Sequence, residues 1–96
     1  MSGKSYWVYI LASQKNGTLY IGVTNSLSRR IRQHREGIEG SFTAQYRVSR
    51  LVYFEEFSYV DNAIAREKQL KAGSRIKKIA LIEKMNPEWL DRAEKW

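Results

Sequence analysis

Arg30 and His34, the chain's one histidine, occupy positions where a packed helix ordinarily carries apolar residues. They belong to LYIGVTNSLSRRIRQHREG, Leu19 to Gly37, which starts as a strand, turns, and continues as a basic helix. On a wheel of about 100° per residue with Leu27 at the origin, Ile31 falls at about 40°, Arg30 at about 300° and His34 at about 340°. These are the i, i+3, i+4, i+7 positions of one face. Arg29, Arg32, Gln33 and Glu36 take the opposite side, and Arg35 sits on the border between the two.

A second helix repeats the pattern. With Val60 at the origin of the same wheel, Ile64, Ala63 and Leu70 mark an apolar sector, and Glu67 and Lys71 fall inside it. A carboxylate, a guanidinium and an imidazole are therefore each aimed toward the sheet. One reading is a buried Arg30–Glu67 salt bridge, or long side chains snorkelling past the core edge; removing one member of a buried pair typically costs ~3–5 kcal/mol. The other is a water-filled cleft over a sheet face carrying Tyr9 and Tyr20. In that cleft two phenols, an arginine, a histidine and a carboxylate would supply a metal ligand, a charge clamp and proton-transfer groups, a set suited to phosphodiester cleavage.

The elements that position these groups are legible in turn. Tyr6–Ser13 (YWVYILAS) and Thr18–Thr24 (TLYIGVT) read as strands, and Asn16-Gly17 between them is a strong hairpin signal. A two-residue Asn16-Gly17 loop would set Tyr9 opposite Thr24, Leu11 opposite Gly22 and Ser13 opposite Tyr20. Tyr9, Tyr20 and Gly22 then share a face, and a four-residue loop would preserve that parity. Trp7 falls on the same face by alternation. Asn25 or Ser26 can cap a helix over Leu27–Glu36, stopped by Gly37. A loop, GIEGSFTAQYRVS, leads to a third strand, Arg50–Phe57. Asp61 can cap a helix through Ala72 closed by Gly73, Ser74 caps Arg75–Met85, and Asn86-Pro87 opens a short final helix. The order β-β-α-β-α-α-α describes a single α+β domain over residues 1–96: a small three-stranded, mainly antiparallel sheet flanked by helices.

Composition narrows the chemistry. Residues 1–48 carry seven basic and two acidic side chains, and residues 49–96 carry ten and eight, for a net charge of +7. This balance favours an anionic partner, with nucleic acid the usual one. Without cysteine there are no disulfides, thiolate metal sites or thiol nucleophiles, and one histidine rules out a multi-histidine cage. No apolar run reaches membrane-spanning length, the short N-terminus does not read as a signal peptide, and the expected location is cytoplasmic.

Trp7-Val8-Tyr9, ten intervening residues and then Tyr20-Ile21-Gly22 resemble the paired motif of the GIY-YIG endonuclease superfamily. Arg30 eight positions after Gly22, His34 four beyond it, and Glu67 in AIAREKQLKAGSR complete the likeness. It spans nearly the whole chain and is greatest to the compact bacterial branch related to the nuclease module of the excision-repair incision subunit. The resemblance implies a divalent-metal-dependent endonuclease acting on DNA, in repair or nucleic-acid processing. Glu67 would hold one divalent cation, Mg²⁺ or Mn²⁺, and Arg30 would clamp the scissile phosphate. Tyr9 or Tyr20 would position or activate the nucleophile, and His34 would bond a phenol or phosphate. Gly22 would leave room where a Cβ would crowd a phosphate. Trp7-Val8 departs from the first Gly-Ile of the family's name, and Asn86 matches either a family asparagine or a cap before Pro87.

Arg29, Arg32, Arg35, Arg47 and Arg50 read as a solvated basic surface or as nucleic-acid backbone contacts, and Lys71 as a phosphate contact or as a charge that neutralises Glu67 and weakens metal binding. The charges of RIKKIALIEK read as the wet face of a core helix, Tyr46, Tyr53 and Tyr59 as packing, and Trp89 and Trp96 as anchors of the final helix. Nothing resembles a sequence-reading element, so little sequence specificity is expected, with selectivity for branched or nicked structures as the alternative. A non-catalytic nucleic-acid-binding module that retains the nuclease fold is the rival reading, and an accessory protein with a basic docking surface is a third.

Overall fold

The computed structural model describes residues 4–36, 47–94 and 96. In chain order the elements are β1 (Tyr6–Ala12), β2 (Leu19–Thr24), α1 (Leu27–Arg35), β3 (Arg50–Phe57), α2 (Val60–Ala72) and α3 (Arg75–Met85). The strands form one antiparallel sheet in the order β2-β1-β3, so β1 is central. Its run of aromatic and β-branched residues suits that place, because both faces of β1 are covered. The fold is α+β with the order β-β-α-β-α-α. Gly37, Tyr46 and most of the loop before β3 lie outside the described residues.

Alternation divides the core in two. Tyr9, Leu11, Leu27, Ile31, Val48, Leu51 and Ala93 pack together on one face, beneath α1, with Trp7, Tyr20 and Phe54 against them. Val8, Ile10, Ala12, Ile21, Val52, Ala63, Leu70 and Ile82 form the second cluster, beneath α2 and α3. Helices thus cover both faces, in three layers. Trp7 does share the tyrosines' face, where its ring meets Phe54 edge-on at 5.8 Å. A bulge near Ile10/Leu11 pairs Tyr53 with Ile10 but Leu51 with Leu11. The extra residue, Val52, lets Leu51 face α1 while Val52 itself faces α3, so neither apolar side chain is lost to solvent.

The hairpin corrects the expected register. Tyr9 pairs with Gly22, Leu11 with Tyr20 and Trp7 with Thr24, two residues away from the Asn16-Gly17 alignment. The loop is Gln14–Gly17: Ser13 N–H donates to Thr18 O at 3.0 Å, and Gly17 N–H donates to Gln14 O at 2.9 Å. Arg75 of α3 then takes the carbonyls of Asn16 and Gly17 at 2.7 and 2.6 Å. A contact from 58 residues away thus helps hold the longer loop. The shift of two preserves face parity, so Tyr9, Tyr20 and Gly22 still share a side.

Two further expectations are corrected. In α2 the buried line is Ala63 and Leu70, whereas Val60 and Ile64 remain 41% and 37% exposed. The helix is rolled toward Ala63, and it packs on the face opposite Tyr9 rather than over it. The final helix after Pro87 is absent from the described residues; turns replace it. Asn86, almost fully buried, donates to Val52 O at 3.1 Å and Leu90 O at 2.9 Å, and accepts from Leu90 N–H at 3.0 Å. Trp89 takes φ 57, which a right-handed helix does not allow, and is fully buried with its indole N–H on Glu83 at 2.8 Å. A side-chain knot anchored on the bulge therefore replaces helical hydrogen bonding. Among the described residues no helix is long and apolar enough to cross a membrane.

Asn86→Ala strands buried backbone groups at Val52 and Leu90 and should cost about 2–3 kcal/mol in urea denaturation. Asn86→Asp should also destabilise, since an acceptor would replace the donor facing two carbonyls.

Candidate functional site

Tyr9 is fully buried, and its hydroxyl is where the site converges. Arg30 Nε donates to it at 3.3 Å, and His34 Nε2 lies 3.0 Å from it. A guanidinium can only donate, so the phenol oxygen accepts from Arg30, and its own proton is available to His34 Nε2 in the tautomer that carries its hydrogen on Nδ1. Burial and the neighbouring Arg30 charge push the His34 pKa down to about 4, which agrees with a neutral ring. Burial raises the Tyr9 pKa against the opposing pull of Arg30, so the phenol stays protonated. Its hydrogen bond to Tyr9 raises the pKa of Arg30 in turn.

Both α1 residues occupy the inward face because Leu27 and Ile31 bury the same face against the sheet. Tyr20 of β2 lies half-buried beside them, its ring 5.4 Å from His34 and 6.3 Å from Tyr9. Gly22 has a packing reason. A Cβ there would sit 2.5 Å from the Tyr9 hydroxyl oxygen and 2.6 Å from its Cζ. The aromatic ring itself fills the space over Gly22, directly across the strand pair.

Arg30 carries the electrostatic peculiarity. Among the described residues its hydrogen bonds go to the Tyr9 phenol and, at 3.3 Å, to the Gln33 amide oxygen, both neutral, with the Tyr20 phenol also acting on it. Among the described residues no carboxylate forms an ion pair with it, so the Arg30–Glu67 bridge is not formed. A cation held this way keeps its charge available to an anion entering from the groove that Arg29, Arg30 and Gln33 line with Val23 and Thr24.

Glu67 comes from the other layer. It lies close enough for its charge to add to the upward shift of Tyr9, and it pairs with Lys71 at 3.2 Å. Its side chain is 17% exposed and that of Lys71 55%. The described residues contain no group of three His, Asp or Glu side chains able to hold a metal. One carboxylate fits a cation that takes its remaining ligands from water and substrate phosphate, as Mg²⁺ commonly does. It does not fit a tightly chelated ion.

The remaining candidates separate. Arg29 bonds Asn25 at 3.1 Å and lines the Arg30 groove. Arg32 and Arg35 face a different groove, with Trp96, and Arg35 is paired with Asp91 at 2.7 Å. Arg47, at φ 56, is exposed on the approach to β3. Gln33 is a site neighbour that the sequence reading left out, although its i+3 spacing from Arg30 was a usable signal. A larger depression of about 730 Å³ near Arg50, Asp91 and Trp96 includes none of the five converging residues and mixes both signs of charge.

Because the His34 pKa is lowered in the fold, the unfolded chain binds the proton first as pH falls. Stability is fully present above about pH 6.5 and declines toward pH 4, the loss from pH 7 to 5 amounting to about 2 kcal/mol. Urea midpoints for wild type and His34→Gln should diverge over that window, the variant lacking this slope. Gly22→Ala should cost about 1–3 kcal/mol by displacing the Tyr9 ring.

Comparison with known proteins identifies the family. Residues 5–80 match the model of the GIY-YIG catalytic domain. A UPF0213 protein of Staphylococcus saprophyticus is 36% identical over 77 residues, spanning 80% of this chain and 93% of its own. Another from Clostridium perfringens is 40% identical over 76 residues, 79% of this chain and 81% of its own. The solution NMR structure of a UPF0213 protein from Bacillus halodurans superposes with a TM-score of 0.58 at 30% identity, covering 95% of this chain and 96% of that one. With residues 5–80 matched by the domain model and most of its length shared with these relatives, the chain belongs to the GIY-YIG catalytic-domain family, among the small bacterial UPF0213 proteins.

Proposed function

We propose that this protein is a divalent-metal-dependent endonuclease that hydrolyses phosphodiester bonds in DNA with little sequence specificity. The observation that carries the reading is Arg30: a half-buried guanidinium whose bonds among the described residues go to neutral groups, beside two phenols and a neutral imidazole, at the mouth of a groove. Such a cation suits a phosphate and suits still better the added charge of a pentacoordinate transition state.

Hydrolysis adds water across the P–O bond: a hydroxyl goes to phosphorus and a proton to the departing sugar oxygen. Tyr9 is sealed from solvent and protonated, so it orients Arg30 and His34 rather than meeting substrate. Tyr20 is the phenol a phosphate or its attacking water can reach. His34, neutral at pH 7, shares a hydrogen bond with the Tyr9 hydroxyl and holds the buried end of the network in one arrangement. Glu67 would hold the cation, which when bound would polarise a phosphoryl oxygen and acidify a ligated water. Lys71, one turn along, is close enough to exchange Glu67 for a phosphate.

The Glu67–Lys71 pair also favours a second reading, a non-catalytic nucleic-acid-binding module, because it neutralises the one carboxylate a metal would use. Nicking of supercoiled plasmid with Mg²⁺ or Mn²⁺ separates the two. An enzyme gives EDTA-sensitive nicking that Glu67→Ala abolishes with DNA binding retained, and Arg30→Gln should slow it by about 10²–10³-fold. Salt-sensitive binding without nicking in any metal would instead select the binding module. Circular dichroism of each variant excludes unfolding as the cause.

A further inference from the structure

β2 is an edge strand, and two basic grooves lie along it. Toward its C-terminal end, Val23 and Thr24 with Arg29, Arg30 and Gln33 of α1 line a groove of about 470 Å³. Toward its N-terminal end, Leu19, Tyr20 and Ile21 with Lys71 of α2 and Lys78 of α3 line one of about 320 Å³. Tyr20–Gly22, the stretch carrying the half-buried phenol, joins them. The six residues of β2 span about 20 Å at ~3.4 Å each, room for several consecutive phosphates. The two layers of helices thus contribute cations from opposite faces of the sheet to one line along its rim.

Lys78 is the unexpected member. It is half-buried, with its ammonium 3.4 Å from the Lys71 carbonyl, which keeps both lysines on the same side of the groove. Lys71 is held by a partly exposed i,i+4 pair of the kind that yields readily. Across α1 the situation is reversed. Arg32 and Arg35 open onto the Trp96 groove, and the charge of Arg35 is already met by Asp91.

We propose that a nucleic-acid strand runs along the β2 edge, its phosphates held by Arg29 and Arg30 on the α1 side and by Lys71 and Lys78 on the α2–α3 side, with Arg32 and Arg35 off the path. The proposal rests on the reading of the protein as a nucleic-acid enzyme or binding module, and it names which charges take the backbone. It also replaces the view of Lys78 as part of a merely wet helix face.

Fluorescence anisotropy of a labelled oligonucleotide in EDTA, measured across a salt series, tests binding apart from cutting. Lys71→Gln/Lys78→Gln should reduce the magnitude of the log–log salt slope by about 1.8 on duplex or 1.4 on single-stranded DNA, and weaken binding by some tens of fold near 0.1 M salt. Lys71→Arg/Lys78→Arg should keep the wild-type slope. Lys84→Gln, about 240° around α3 from Lys78, should leave the slope unchanged. An unaltered slope in a folded double glutamine variant, with wild type still salt-sensitive, would overturn the path and spare the proposed function. A loss in Lys84→Gln of the size expected for one contact would overturn it too, by showing that any positive charge serves. Wild-type protein that binds neither DNA with salt dependence would overturn both this inference and the function beneath it.

Discussion

The Tyr9 hydroxyl is the point on which the site depends. It is fully buried on the central strand, and a buried phenol needs hydrogen-bond partners. Arg30 and His34, one turn apart on α1, supply them. The same ring requires the glycine at position 22 on the neighbouring strand. One side chain therefore ties together β1, β2 and α1 and sets where a guanidinium must stand. The energetics are mutual: the phenol stays protonated because it is dry, the imidazole stays neutral chiefly for the same reason, and the charge of the arginine meets no carboxylate among the described residues.

Placing helices on both faces of so small a sheet has a functional consequence. A cleft over the sheet centre is closed off, since α1 covers the Tyr9 face and α2 with α3 the other. The accessible place is the rim, where among the described residues β2 pairs with β1 on one side and with no strand on the other. Residues from both layers meet there only if their side chains reach past the strand, which suits arginine, lysine and glutamate. Long charged side chains near the edge of a core thus combine packing stems with reactive heads. The open cleft expected over the tyrosine face is thus not formed, and the charged heads reach the rim instead.

The C-terminal segment shows how the rest of the frame is held. Asn86, Asp91 and Arg92 act through specific bonds to β3: Asn86 to Val52 O, and Asp91 to the Leu51 N–H at 3.2 Å, with Arg92 N–H on Leu51 O at 2.7 Å. These meet β3 at its bulge, where the regular ladder leaves backbone groups to be satisfied. Asp91 also takes Arg35, linking this segment to the end of α1. Asn86, matched in the sequence either to a family asparagine or to a cap before Pro87, is here buried and bonded to Val52 and Leu90.

Local chemistry made much of this legible. The limits of β3 and α3, the Ser74 cap, and the common face of Tyr9, Tyr20 and Gly22 follow from composition, capping and alternation, and the inward aim of Arg30 and His34 follows from a wheel anchored by Leu27 and Ile31. These are short-range properties, so the sequence by itself determined them. Tertiary structure decided the hairpin register, because Arg75 holds the loop from another helix. It decided the face on which α2 packs, because periodicity specifies an apolar side but not the layer that will receive it. It made turns of the expected last helix, because burying Trp89 and bonding Asn86 to the bulge outweigh a local preference for helix. And it set Glu67 against Lys71 at the sheet rim instead of against Arg30 in the core, since which charges meet depends on how separate elements dock, a relation that no single stretch of chain contains.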